Sequence, residues 1–402
     1  MKRKKILMIA PDLGYGGAEK SFSRWADLFS EEHDVTLVVF NTASENVYVP
    51  NHKLISLNVP AGRNPISKIW FFLQRITRLR KIKKQLNPDV AISFLEGADY
   101  VNVLSKQSEK VVLSIRGSKQ HDSNISGLIG WFRHKVLMPY LYNRADLITV
   151  VSKGIEIELR EFYQVKNTVP IQVIYNFYDT LNLKKSGSEP LSEEWRNFLN
   201  DNETLICVGR LARQKNYPFI IRVFAKLKKL RPQLKLVILG SGELEPLITL
   251  SHKLGLTTFS TGDKFTTDRD IYFAGMVKNP HAYVSRASLF VLPSLFEGFP
   301  NALAEAMAVE TVSAAANCPY GPAEIFDQAI QEIREPKFLD FGLLLPASEE
   351  RENDQLESLW ATALIEALEN DSWRVRVMQN AAARLTEFNV QKFRSSWSEI
   401  LN

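Results

Sequence analysis

Glu297 and Glu305 lie eight residues apart in the segment EGFPNALAEAM, and no other spacing in the chain points as sharply to chemistry. Glu297 follows the apolar run LFVLPS (289–294) through a short loop. Pro300 suits the first turn of a helix, and Asn301 to Met307 have helix-forming composition. This puts one carboxylate on the loop and the other about one turn into the helix, where both can face a pocket at its N-terminus. A carboxylate accepts hydrogen bonds from vicinal hydroxyls, so the pair can hold two polyol groups at once. The amides around Gly298 to Asn301 would point at an anion bound there. The bland alternative makes Glu297 a helix cap and Glu305 a solvated residue. Ala304, Ala306, Met307 and Ala308 describe a buried helix instead, where a carboxylate without a partner is costly.

Arg210 and Lys215 follow the run TLICVGR (204–210) and precede a helical pattern. Two cations at such a place can hold a diphosphate, with solvated surface charge as the alternative. Glycines mark two tight turns after apolar runs: Gly14, Gly16 and Gly17 in PDLGYGGAEKS (11–21), and Gly240-Ser241-Gly242. The first, with Tyr15 inside it, does not match GxGxxG. The next strand pattern, VTLVVF (35–40), runs into Asn41 and Thr42 where a nicotinamide-dinucleotide fold would place an acid.

The elements that must position these groups are short apolar runs alternating with helical patterns. Strands are predicted at 5–11, 35–40, 90–95, 110–115, 146–152 and 171–176. A second series is predicted at 204–210, 234–240, 271–275, 289–294 and 311–316. The polar stretch DTLNLKKSGSEPLSEEW separates the two series and reads as a linker. The expectation is an α/β chain of two Rossmann-like doubly wound domains facing a central cleft. The boundaries are 1–178 for the acceptor-side domain, 179–198 for the linker and 199–384 for the donor domain, with a terminal helix at 385–402 packing back on the first domain. Ligands of such sheets bind beyond the strands' carboxyl ends.

The chain has 402 residues, 45% hydrophobic and 24% charged, and its Cys207 and Cys318 lie in apolar stretches. That composition suits a reducing cytoplasm and no disulfide framework. MKRKKILMIAPD has too short an apolar core for a signal peptide, and no run spans a bilayer. Residues 1–180 hold 25 Lys and Arg against 17 Asp and Glu, so the first half of a chain of net charge +5 carries about +8. No helix-turn-helix, zinc or RNP-like pattern accompanies this excess, so nucleic acid is not expected as a partner.

Glu-x7-Glu within EGFP-x-x-x-x-E-A-M resembles the signature of the glycogen-synthase-like, retaining GT-B glycosyltransferases. GYGGAE, VGRLARQKNYPFII, ILGSGELEPL, YFAGMVKNP, NCPYGPAEI and FGLLLP follow in family order over nearly the whole chain. The resemblance is closest to the branch acting on polysaccharide, lipopolysaccharide, capsule or lipid-linked oligosaccharide acceptors. It implies that Arg210 and Lys215 bind a donor diphosphate, Glu305 the ribose and Glu297 the transferred sugar. Gly298, Phe299, Pro300 and Asn301 would present backbone to sugar and phosphate. Gly16, Gly17 and Gly240 would lie at the donor, and backbone at Met276 and Val277 would read the base. The implied donor is a UDP-sugar, the transferred group a hexose or N-acetylhexosamine, and no cofactor or metal is needed. A sugar-nucleotide epimerase or hydrolase on the same fold is the alternative.

The chain departs from that family at three places. Where many relatives carry a His after the strand KVVLSI, this chain reads Arg116-Gly117-Ser118, with His121-Asp122 following. Arg116 is the favoured occupant, as in relatives reading Ser-x-Arg, and His121 is second. Glu310 stands where Gly is usual; at positive φ it costs on the order of 1 kcal/mol. Asp268-Arg269-Asp270 spells the D-x-D of metal-dependent transferases but precedes a strand in a polar loop, and reads as solvated.

On the acceptor side, NPISKIWFFLQRITRLRKIKKQLN (64–87) predicts a basic amphipathic helix over 65–86. Its apolar residues are Ile66, Ile69, Trp70, Leu73, Ile76, Leu79 and Leu86, widened by Phe71 and Phe72. Lys68, Arg75, Arg78, Arg80, Lys81, Lys83 and Lys84 crowd the other face. This suits docking on the anionic inner face of a membrane by a cytoplasmic protein, and GLIGWFRHKVLMPYLY (127–142) points the same way with less force.

Overall fold

The computed structural model describes residues 3–14, 16–41, 52–121 and 127–401. Met1, Lys2, Tyr15, Thr42 and Asp122, all within segments named above, lie outside the described residues. The chain divides into two compact units, Met1–Asn176 with Ser395–Asn402, and Phe177–Arg394.

Unit 1 holds β1 (Lys5–Ala10), β2 (Asp34–Val39), β3 (Lys53–Ser56), β4 (Val90–Phe94), β5 (Lys110–Ile115), β6 (Leu147–Val150) and β7 (Ile171–Val173). They form a sheet of order β3-β2-β1-β4-β5-β6-β7 in which every pair is parallel. Val, Ile and Leu side chains bury β4 and nearly all of β1 and β5, as a sheet covered on both faces requires. Trp25 packs edge-on against Phe94 at 4.8 Å and against Trp397 at 5.1 Å, so the terminal helix closes one face of this core.

Unit 2 holds β8 (Thr204–Val208), β9 (Lys235–Leu239), β10 (Thr258–Ser260), β11 (Ile271–Gly275), β12 (Leu289–Leu292), β13 (Ser313–Ala316), β14 (Lys337–Leu339) and β15 (Gly342–Leu345). The order is β10-β11-β9-β8-β12-β13-β15-β14, parallel except where β14 returns against β15. In both sheets the order reverses beside the first strand, between β1 and β4 and between β8 and β12. That reversal opens a crevice at the carboxyl ends, where doubly wound folds bind ligands.

Four strands escape the sequence pattern. β3 is half-buried, and β10 and β14 are three residues long and lack a continuous apolar run. β15 is a four-residue run whose pairing with β13 and β14 decides its state.

The stretch predicted as a linker is instead two helices of unit 2, Thr180–Gly187 and Glu193–Asp201. Asp179 caps the first, its carboxylate accepting from the Asn182 amide at 3.0 Å. Leu183 buries its face, and Gly187 lies where an added Cβ would meet Val309 at 3.1 Å. In the second, Trp195 and the buried Phe198 join an aromatic cluster with Phe265 and Tyr272. One or two apolar residues per turn suffice for these faces, which is why the polar composition concealed them. Within the predicted terminal segment, only Ser395–Asn402 clusters with unit 1.

Glu310 sits at φ +62°, the conformation in which Glu is strained and Gly is not. The only partner of its side chain among the described residues is an exposed ion pair with Lys184 at 2.6 Å, which offsets little of that strain. Glu310→Gly is therefore expected to raise stability by up to about 1 kcal/mol and the thermal midpoint by a few degrees. A lowered midpoint would contradict this.

Candidate active site

In unit 2 the carboxyl edge of the sheet is lined by glycine backbone. Gly209 follows β8 and donates its amide to Leu239 O at 2.9 Å, and Gly240 follows β9 and donates to Gly275 O at 2.8 Å. A Cβ on Gly240 would fall 1.8 Å from Gly209 O, so only glycine permits these strand ends to meet. Three strand ends thus present bare backbone to whatever lies over them. Met276, half exposed, follows directly after β11 with Val277 beside it.

Arg210 leaves the end of β8 exposed, its guanidinium making no hydrogen bond or ion pair among the described residues. Lys215 closes the short turn Arg213–Lys215, and its stem crosses Gly209, whose missing side chain leaves the room. Its ammonium donates to Glu297 Oε1 at 2.6 Å. Ser294 Oγ donates to the same oxygen at 2.6 Å, and Gln214 Nε2 to Oε2 at 3.3 Å. The Glu297 amide donates to Pro319 O at 2.6 Å, and the Tyr320 amide to Glu297 O at 3.1 Å. Glu297, 6% exposed, is therefore a rigidly held carboxylate paired with a cation across the β8–β12 reversal. It is not a helix cap.

The loop after Glu297 is pressed into place by Gly321 at φ +101°, where a Cβ would lie 2.7 Å from Pro300 Cδ and 2.9 Å from Gly298 O. Phe299 packs edge-on against Phe388 at 5.1 Å. Helix Asn301–Ala308 follows, with Pro300 as its N-cap and no side-chain cap on its first turn. Its amides point toward the loop that carries Glu297. Tyr178 Oη donates to Asn301 Oδ1 at 2.7 Å, fixing that side chain.

Glu305 is 8% exposed and faces His281 Nε2 at 3.2 Å. His281 stands on the short helix Pro280–Val284, and its Nδ1 lies 3.2 Å from Ser186 Oγ. Asn279 caps that helix and donates to Ser186 O at 2.8 Å. The first of the two helices misread as a linker thus buttresses the second carboxylate. Sequence reasoning missed His281, Ser294 and Gln214. Asn279-Pro280, a helix start just beyond β11, was the available signal for His281; a buried serine ending an apolar run was the one for Ser294.

Asp268 and Asp270 behave differently from each other. Asp268 is exposed and accepts from Thr266 Oγ1 at 2.6 Å. Asp270, predicted to be solvated, instead accepts from the Thr257 amide and hydroxyl at 2.8 Å each and pairs with Lys228 at 2.7 Å. It ties the loop to β10. No cluster of three or more His, Cys, Asp or Glu suited to a metal occurs among the described residues.

In unit 1, Gly16 is the N-cap of helix Gly17–Ser30, and a Cβ there would strike the Glu19 carboxylate at 2.0 Å. Arg116 lies over Trp25 at 4.8 Å and Phe94 at 5.7 Å, with Nη2 donating to Asn176 Oδ1. His121 Nδ1 lies 2.8 Å from Ser118 Oγ, which donates to Glu158 Oε2 at 2.6 Å. Glu158 Oε1 accepts from the amides of Lys119 and Gln120, so this buried carboxylate holds the turn carrying His121.

Two parallel α/β units with this strand order define the architecture of the GT-B glycosyltransferases. The chain superposes on Anabaena HepE, crystallised with UDP, with a TM-score of 0.73 over 99% of both chains at 17% identity. Residues 15–181 match the model described as Glycosyltransferase Family 4 and residues 192–337 match Glycosyl transferases group 1, and the chain belongs to this glycosyltransferase family. An uncharacterized glycosyltransferase of Methanocaldococcus jannaschii is 28% identical over 378 residues, 88% of each chain. A Campylobacter jejuni enzyme is 26% identical over 402 residues, 97% of each chain. Its name is N-acetylgalactosamine-N,N'-diacetylbacillosaminyl-diphospho-undecaprenol 4-alpha-N-acetylgalactosaminyltransferase.

Proposed function

We propose that the protein is a retaining glycosyltransferase that moves a hexose or N-acetylhexosamine from a UDP-sugar to a lipid-linked glycan or polysaccharide. The observation that carries this reading is the Lys215–Glu297 pair, 2.6 Å apart at the strand-order reversal of unit 2, beside the guanidinium of Arg210, which has no partner among the described residues. Arg210 and Lys215 hold the donor diphosphate. Glu297 accepts from hydroxyls of the transferred sugar, and Glu305, oriented by His281, from the ribose. Met276 and Val277 lie two strands away along the same edge, about 10 Å, and read the base.

As the bond from C1 of the sugar to the diphosphate breaks, negative charge grows on the leaving oxygen. Arg210, Lys215 and the amides opening helix Asn301–Ala308 are in place for that charge before the reaction begins, so little reorganisation is required. The acceptor oxygen bonds to C1, and its proton passes to the departing diphosphate. The two cations supply what a divalent ion supplies elsewhere, so activity is expected to persist in EDTA. Loss of activity in chelator with recovery on added Mg²⁺ or Mn²⁺ would overturn that part. The name of the Campylobacter relative supports a diphospho-undecaprenol-linked acceptor and an N-acetylgalactosamine donor group.

The test is product analysis with UDP-, GDP- and ADP-sugars and extracted lipid-linked acceptors. Release of UDP that depends on acceptor, with the donor's anomeric configuration kept in the product, is expected. No nucleotide release with any donor, or epimerised donor without transfer, would contradict the reading.

Membrane docking by helix Pro65–Leu86 belongs to the same proposal. Pro65 and the reciprocal Asn64–Ser67 capping bonds start this helix. Its charge arrangement differs from the predicted basic face: Arg75 and Arg78 donate to backbone carbonyls of residues 57–60, and Lys83 is buried. The outward stripe is apolar in its first turns, with Ile66 81% and Trp70 59% exposed beside Ile69 and Leu73, and basic in its last, at Arg80, Lys81 and Lys84. Such a stripe seats apolar side chains among lipid tails and cations among headgroups. No helix among the described residues is long and apolar enough to cross a membrane. Changing Arg80, Lys81 and Lys84 to Glu is expected to abolish pelleting with anionic liposomes; undiminished pelleting would refute docking.

A further inference from the structure

Unit 1 has its own strand-order reversal, between β1 and β4, and a second charged cluster stands beside it that the donor chemistry does not use. The chain leaves β4 through Leu95 at φ +69°, a conformation that is strained for a leucine and that aims the next residue, Glu96. Arg133 grips Glu96 with Nε on one oxygen and Nη2 on the other, and Tyr100 Oη donates to Oε1. Arg133 opens the wide helical turn Arg133–Leu137, a local widening that recurs at functional sites. Burial raises the Glu96 pKa, but the Arg133 bonds, the Lys119 charge and the Tyr100 hydroxyl outweigh it and hold the carboxyl below its ordinary value. Glu96 is thus ionised, fixed by three donors, and 14% of its side chain still reaches solvent.

Lys119 is the second observation. It is 7% exposed, yet its ammonium makes no hydrogen bond or ion pair among the described residues. The carboxyls near it are otherwise engaged. Glu96 is matched by Arg133, and Glu158 by Ser118 and two amides. Asp99 is fully buried, which pushes its pKa well above the usual range, and it accepts from Ser93 Oγ at 2.8 Å. The side chain is enclosed along most of its length, and its ammonium keeps its donors for a ligand.

We propose that Glu96 and Lys119 form a sugar-hydroxyl clamp on unit 1, which holds the terminal pyranose of the acceptor glycan. The carboxylate accepts from one sugar hydroxyl and the ammonium donates to a neighbouring sugar oxygen, which is how an ionised pair reads a vicinal diol. Arg133 and Tyr100 are positioning residues that keep Glu96 in one rotamer. The clamp rests on the glycosyltransferase reading for the name "acceptor", but its sugar binding can be measured without any nucleotide.

The experiment is saturation-transfer NMR on the whole protein with methyl α-glycosides of glucose, galactose, N-acetylglucosamine and N-acetylgalactosamine, no nucleotide present. At least one glycoside is expected to receive saturation, and its binding is expected to weaken about tenfold or more in Glu96→Gln and Lys119→Met while persisting in Arg210→Ala. Lys119 makes no side-chain bond among the described residues, so Lys119→Met decides the matter if Glu96→Gln fails to fold. Absence of transfer to every glycoside, or transfer unchanged in Lys119→Met, would overturn the clamp. UDP titrated into the same samples separates the two readings. UDP binding without glycoside binding removes the clamp alone, and glycoside binding without nucleotide binding removes the donor site alone.

Discussion

Lys215→Ala is expected to lower kcat/KM for sugar transfer by about a thousandfold. A cation aimed at the charge that develops on a leaving oxygen commonly supplies 10²–10³ in rate, and Lys215 has a second task in orienting Glu297. Without it Glu297 keeps the Ser294 and Gln214 bonds but loses its only ion-pair partner among the described residues, with a side chain 8% exposed. The two residues form one unit, so Lys215→Ala and Glu297→Gln should be strongly non-additive, the double variant falling little below the worse single. Arg210→Ala provides the contrast. Arg210 is exposed and unpaired among the described residues, so its loss should reduce transfer without moving the thermal midpoint. Steady-state kinetics and melting curves of the four variants check this; a Lys215→Ala enzyme within fivefold of the parent would contradict it.

The second large effect is on stability. Lys83 is fully buried, pairs with Glu109 at 2.7 Å and donates to Asn102 O and Oδ1 at 2.9 and 2.7 Å. Lys83→Met leaves the Glu109 carboxylate buried with its counter-ion gone, and unit 1 is expected to lose about 3–5 kcal/mol. Adding Glu109→Gln should restore most of that loss, since the orphaned charge goes with it. Burial, the largest cause, pushes the Lys83 pKa down to about 8 from 10.5 even against the pull of Glu109. Between those values the unfolded chain holds a proton that the folded chain has shed, so stability rises with pH across that window. The double variant should lack this slope. Urea unfolding from pH 7 to 10 checks both claims; a single variant as stable as the parent, or a slope retained in the double variant, would contradict them.

The parts of this molecule that were legible in the sequence were those whose burial is continuous. β1, β4, β5, β8 and β9 are apolar on both faces and read as runs, and the loop from Ser294 to Pro300 carries its own turn and helix-start signals. Illegible parts owe their state to distant partners. Helix Thr180–Gly187 is polar on all but one stripe and exists because Leu183 and Gly187 have a surface to meet. Lys83 looks like one more cation on a basic face, and only the packed position of Glu109 turns it inward. The same holds at the site. The spacing of Glu297 and Glu305 placed both carboxylates near one helix N-terminus. Their partners Lys215, Ser294 and His281 come from three other segments, and only the fold assembles them.

The most direct test of a nucleotide-sugar donor site in unit 2 is calorimetric titration of UDP into the purified protein. Saturable one-to-one binding is expected, abolished in the Arg210→Ala, Lys215→Ala double variant while its helical content is unchanged. The absence of saturable binding for UDP, GDP and ADP alike, or UDP binding undiminished in that variant, would contradict it.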